Sequence, residues 1–170
     1  HRTRAQSGTA LAGGTASMTP AARFAVYCIS LIAALILQLL ALPDAIAAGR
    51  PIWVVMMLAY WTLAAPRIPH VLFAFIAGLI MDVMLNTPLG QHAVAMVVAV
   101  YAVDRLRPLF NMFPAWQATL VLVPVWGVYE FLLFWIDGLT HHLADPMMRW
   151  LPVATTTVAW PILWLLLGGG

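Results

Sequence analysis

Asp82 closes a stretch that is free of charge from Val71 to Met81, and Gly90, Gln91 and His92 open the next apolar stretch. A charged Asp near the centre of a bilayer helix costs roughly 2.5–3.5 kcal/mol on insertion scales. The chain must gain something from keeping it, which makes Asp82 a candidate functional residue. Two roles suit a carboxylate in this setting. It can line a polar recess or a partner-binding surface with His92, Glu130 and Gln38, with Arg50 as its counter-ion. Alternatively it serves shape, accepting hydrogen bonds from Asn86, Thr87 or the free amides that begin the following helix. Ala74, Gly78 and Asp82 recur at i, i+4 and i+8 and so share a helix face. Small residues on such a face let a second helix approach closely, which directs Asp82 into a packed interface, and Gly90 is assigned to the same packing.

Positioning these side chains requires apolar helices. Hydrophobic residues make up 64% of the 170-residue chain and charged residues 8%, against about 25% charged in soluble proteins. An all-α integral membrane protein follows, a bundle of six transmembrane helices. Six apolar segments are legible: Phe24 to Leu42, Ile52 to Ala65, Ile68 to Leu85, Leu89 to Val103, Ala115 to Ile136 and Leu151 to Leu167. Crossing the hydrocarbon core takes about 20 helical residues, so the second and fourth extend into their flanks or sit where the bilayer is thinned or protein shields them. Pro124 and Pro161 lie inside the fifth and sixth and are expected to kink them. Residues 1–17 read as a disordered tail or vector-derived leader, and residues 18–170 as a single six-helix transmembrane domain. The closing Gly168–Gly170 reads as a truncation or a linker scar. Ala45-Ile46-Ala47 looks like a signal-peptidase site, but the preceding apolar run exceeds the usual 7–15-residue signal core, so it reads as a retained helix.

Arginine placement orients the bundle. With the N-terminus inside, Arg2, Arg4, Arg23, Arg67, Arg105 and Arg107 fall on cytoplasmic segments, and only Arg50 and Arg149 on outer ones. Both chain ends are then cytoplasmic. Asp82 and His92 each stand five residues from Thr87 in the turn between the third and fourth segments. At 1.5 Å per residue both lie roughly 7–8 Å below that turn. Glu130 and Gln38 are also close to the outer ends of their segments, so all four polar groups converge on the outer half of the membrane.

Other chemistries are not supported by the residues. The chain has eight Arg and no Lys, and the Arg are scattered over the loops rather than clustered as phosphate binding requires, which excludes nucleic acid. One cysteine, Cys28, permits no internal disulfide and reads as a small core residue. Asp137, His141, His142 and Asp145 crowd the last outer loop, but with one usable His and no Cys they make a poor metal site, and no metal or cofactor is expected. No phosphate loop, His-Glu-x-x-His or nucleophile elbow is present, and Ser7, Ser17 and Ser30 lack a base. The eight Trp, many near segment ends, read as an interfacial belt.

Four patches taken in order resemble the MreD family of rod shape-determining proteins. They are Arg50 to Pro66, Gly78 to Ala93, Phe113 to Leu122 and Trp150 to Leu167. Arg50-Pro51-x-Trp53, the Tyr60-Trp61 pair, Gly78-x-x-x-Asp82 with Leu89-Gly90-x-His92, and Trp160-Pro161 carry the likeness, which covers about residues 20–167. Asn86-Thr87, where glycine is more typical, and Pro69-His70 after Arg67 depart from the pattern. The resemblance implies a non-enzymatic component of the bacterial elongation machinery (the elongasome), multi-pass in the inner (cytoplasmic) membrane. Its implied partner is MreC, and through it MreB, the polymerase RodA and a penicillin-binding transpeptidase of peptidoglycan synthesis. Lipid-facing grooves would take the MreC helix and a second copy of the chain, a homodimer. The six-helix bundle also looks like the substrate-binding subunits of vitamin-uptake transporters, a likeness of fold that does not fix function. The alternative is a small-solute or lipid-binding membrane subunit using the outer recess as its pocket.

Overall fold

Thr19 accepts a hydrogen bond from the Ala22 amide at 3.2 Å, and Pro20 takes the first helical position, where a missing N–H costs nothing. These two residues start α1, Pro20–Leu39. In the computed structural model, which describes residues 18–140, 145 and 147–167, α1 is followed by the one-turn α2 (Asp44–Ala47), α3 (Trp53–Ala64), α4 (His70–Met84), α5 (Gln91–Phe110), α6 (Ala115–Leu139) and α7 (Leu151–Leu166). A 3₁₀ turn, Met148–Trp150, leads into α7. Residues 1–17, His141, His142 and 168–170 lie outside the described residues, and so do the expectations placed on them. There is no strand among the described residues.

Each expected apolar segment contains a helix. α5 outruns its segment, continuing past Val103 through Asp104, Arg105, Arg107 and Pro108 to Phe110. Its charged end finds partners locally: Arg107 donates to Asp104 at 2.5 Å and to the Thr62 carbonyl at 2.7 Å, and Arg105 donates to the Tyr101 hydroxyl at 2.9 Å. α6 and α7 run through Pro124 and Pro161 as continuous helices.

Contacts at the helix ends fix an alternating course. The last turns of α1, α4 and α6 meet the first turns of α3, α5 and α7, as Gln38 with Trp53, Asp82 with His92 and Asp137 with Arg149 demonstrate. At the opposite end the Tyr60 hydroxyl reaches the Leu167 carbonyl at 2.9 Å. α3 lies in the middle, packed against α1, α4, α5 and α7. Val54, Val55, Met56, Leu58 and Ala59 are all fully enclosed, as suits a helix that is apolar on every side.

Among the described residues, only α1 and residues 116–139 of α6 are long and apolar enough to cross a membrane unaided. α3, at 12 residues, spans about 18 Å, well short of a hydrocarbon core of about 30 Å. Of the expectations for short segments, shielding by protein describes α3. Ile29, Ile32 and Ile36 of α1 and Leu72, Ile76 and Val83 of α4 are exposed at helical spacing.

The tryptophans divide. Trp116, Trp135 and Trp150 are exposed, in keeping with a belt, but Trp61, Trp126 and Trp160 are buried. Trp126 meets Trp160, Trp160 meets Trp164 and Trp164 meets Tyr60 at centroid distances of 5.6–5.8 Å, tying α6, α7 and α3. Cys28 is only half-buried against this core.

Candidate functional site

Gly78 sets the site's geometry. A Cβ placed there would stand 2.3 Å from Ala93 Cα and 2.5 Å from its nitrogen, a distance no side chain tolerates. Glycine alone allows α4 and α5 to cross this closely. Ala74, one turn earlier on the same face, is fully buried. One turn later, Asp82 is carried to the start of α5 with its side chain fully enclosed.

Four donors converge on that carboxylate. Oδ1 accepts from the Thr87 hydroxyl at 2.9 Å, the His92 amide at 2.9 Å and His92 Nδ1 at 2.8 Å. Oδ2 accepts from the Gly90 amide at 2.8 Å. The acid therefore caps α5 from a neighbouring helix, satisfying amides that a helix start leaves free. It also pins the intervening turn, where Thr87 N donates to the Asp82 carbonyl at 3.1 Å. Asn86 adopts a left-handed φ of 52°, which asparagine tolerates better than most residues and glycine best of all. The glycine that the resemblance leads one to expect at this turn would take that conformation without strain. Of the hydrogen-bond donors expected for Asp82, Thr87 and the helix start are used.

Two expectations are corrected. Gly90 was assigned to helix packing, but nothing lies within 4 Å of where its Cβ would be; its φ of 98° is what demands glycine. Arg50 was the expected counter-ion of Asp82. Its guanidinium instead donates to the carbonyls of Gln38 and of Leu40 (2.7 Å for Leu40), capping the end of α1, and His92 takes the place beside Asp82.

Gln38, Arg50 and Glu130 meet at a second location. With Ala47, Ile52, Tyr129, Leu133 and Pro152 they line an open recess of about 310 Å³. Asp82 and His92 do not line it, so the four convergent polar groups share one end of the bundle but not one cavity. Gln38 Oε1 accepts from the Trp53 amide at 2.8 Å, and Thr156 Oγ1 accepts from the Ile52 amide at 2.9 Å. The start of α3 is thus capped by side chains from α1 and α7. Glu130 is buried and makes no hydrogen bond or ion pair with the described residues. Its charged neighbours are occupied: Arg149 pairs with Asp137, which also accepts from Gln91 Nε2 at 2.6 Å.

Asp137, Gln91, Arg149 and Thr156 are site residues that the sequence did not single out. Asp137 stood out only as a loop residue, but it lies in the last turn of α6. Thr156 carries no sequence signal, because a threonine in an apolar helix usually bonds its own backbone. No group of three or more potential metal ligands occurs among the described residues.

The whole length of the helical core, residues 21–168, matches the family described as rod shape-determining protein MreD. The chain belongs to the MreD family. It is 25% identical over 134 residues to the rod shape-determining protein MreD of Haemophilus influenzae, covering 79% of this chain and 83% of that protein. No solved structure matches it. MreD proteins are membrane proteins with a role in rod shape determination, structural proteins rather than a known enzyme family. The Asp82 cap and the Glu130 recess therefore belong to a protein that acts on cell shape.

Proposed function

We propose that this chain is a non-enzymatic scaffold of the bacterial elongation machinery in the inner membrane. It binds MreC and so helps couple MreB to peptidoglycan synthesis by RodA and its transpeptidase. In this reading α1 and α3–α7 are six spans of one domain, with both chain ends cytoplasmic and the Asp82 end towards the periplasm. The bundle would be of the kind used by substrate-binding subunits of vitamin-uptake transporters. The arginine distribution supports the orientation.

The observation that carries the scaffold reading is the hydrogen bonding of Asp82. Four donors converge on this enclosed carboxylate, three on Oδ1 and one on Oδ2, so its hydrogen bonds serve the shape of the α4–α5 hairpin. It holds the α4–α5 hairpin rigid, as a surface for docking a partner helix must be. The exposed apolar faces of α1 and α4 offer that helix a place, and a second copy of the chain another.

Affinity capture of the full chain from its native membrane in mild detergent tests this, with partners identified by mass spectrometry. Recovery of MreC with wall-synthesis proteins is expected. The recess favours the alternative of a solute- or lipid-binding subunit, and recovery of a transporter ATPase in place of MreC would decide for it.

A further inference from the structure

The recess is lined by a carboxylate that no described residue satisfies. Glu130 is 8% exposed and lines the cavity without a partner among the described residues. A buried carboxylate in that condition is costly unless a cation or hydrogen-bond donor is supplied. Arg50 lines the same cavity, and its Nε is buried and unpartnered although its terminal nitrogens are engaged. The recess thus sets a carboxylate with acceptor positions to spare beside a fixed cation whose terminal nitrogens are engaged and whose Nε is enclosed. Its volume, about 310 Å³, is at the low end of the roughly 300–1,000 Å³ typical of small-molecule sites. There is room for a polar head group and not for acyl chains.

The surroundings supply a place for the chains. The recess is built where α1 ends, α3 begins and α7 begins, and the side chains flanking these points, Leu40, Ile46 and Leu151, are exposed and apolar. A ligand with both charges on a small head and an apolar body fits this distribution. From this juxtaposition we propose that the recess binds the head group of a zwitterionic phospholipid, the ammonium of phosphatidylethanolamine on Glu130 and its phosphate beside Arg50. This goes beyond the scaffold role and stands whether or not MreC is the partner. The lipid would act as a fixed component, filling the gap between α1, α3, α6 and α7. A primary ammonium is favoured over a trimethylated one because it donates N–H bonds to the carboxylate, and a phosphatidylglycerol head has no cation to offer.

The test uses the full chain in nanodiscs of phosphatidylglycerol containing a minor fraction of phosphatidylethanolamine or phosphatidylcholine, with retained lipid counted by native mass spectrometry. Phosphatidylethanolamine retention about tenfold above that of either other lipid is expected, a difference of one good polar contact. Glu130→Gln should bring the three lipids to near parity while melting no lower than wild type in phosphatidylglycerol alone, since it removes an unpaired charge. Equal retention by the wild-type chain would overturn the proposal without reference to any variant. So would a preference that survives Glu130→Gln, or displacement of the lipid by soluble glycerophosphoethanolamine. A co-purifying protein whose retention depends on Glu130 while lipid retention does not would assign the recess to a partner's basic side chain instead.

Discussion

Removing the carboxylate of Asp82 would take the acceptor from the buried His92 amide and Nδ1 and from the half-buried Gly90 amide and Thr87 hydroxyl. Leaving a buried donor unsatisfied costs about 1–3 kcal/mol. Asp82→Ala is therefore expected to melt well below wild type in detergent, followed by tryptophan fluorescence, and Asp82→Asn to fall between them because it keeps one acceptor. Equal melting of all three would mean the cap contributes nothing. Asp82 was legible because a lone charge in an apolar run must be explained, and its match in depth to His92 follows from counting residues to the turn. The counter-ion was misread for a related reason. Depth arithmetic says how far along a helix a group lies but not its direction around the axis, and Arg50 at the right depth spends its hydrogen bonds on the end of α1. Thr156 was illegible because its bond to the Ile52 amide joins residues 104 positions apart.

Two glycines on different helices separate packing from propensity. At Gly78 an added methyl meets the Ala93 backbone, which cannot move without displacing α5, so Gly78→Ala is expected to cost at least about 1–3 kcal/mol through overpacking. At Gly127 a Cβ meets nothing within 4 Å. Gly127→Ala should leave stability unchanged or raise it by up to about 1 kcal/mol, the penalty for glycine inside a helix. Melting temperatures moving in the same direction would contradict the close α4–α5 crossing. The elements themselves were readable from apolar runs and prolines. The central position of α3 was not, since lipid-facing and protein-facing residues are equally apolar and leave no periodic signature. The burial of Trp61, Trp126 and Trp160 was hidden in the same way. The fourth segment extends into its flank, one of the two expectations for it, because Arg107 turns back to Asp104 and the Thr62 carbonyl and lets α5 continue past the apolar run.

At the scale of the molecule, the helices are fastened at the Asp82 end by three sets of polar contacts. Asp82 joins α4 to α5, Gln38 and Thr156 join α1 and α7 to the start of α3, and Asp137 joins α6 to Gln91 and Arg149. Apolar helices gain little from one another inside lipid, so such contacts together with close small-residue packing decide the shape the bundle presents. On the proposed function, this shape, held by Asp82, is what the protein contributes to rod morphology. The most direct test replaces the native copy in its host with Asp82→Ala, brought to the wild-type membrane abundance by quantitative blotting, and measures cell width and length. Widened or rounded cells at matched abundance are the predicted result. Rods of normal width at matched abundance would contradict the account.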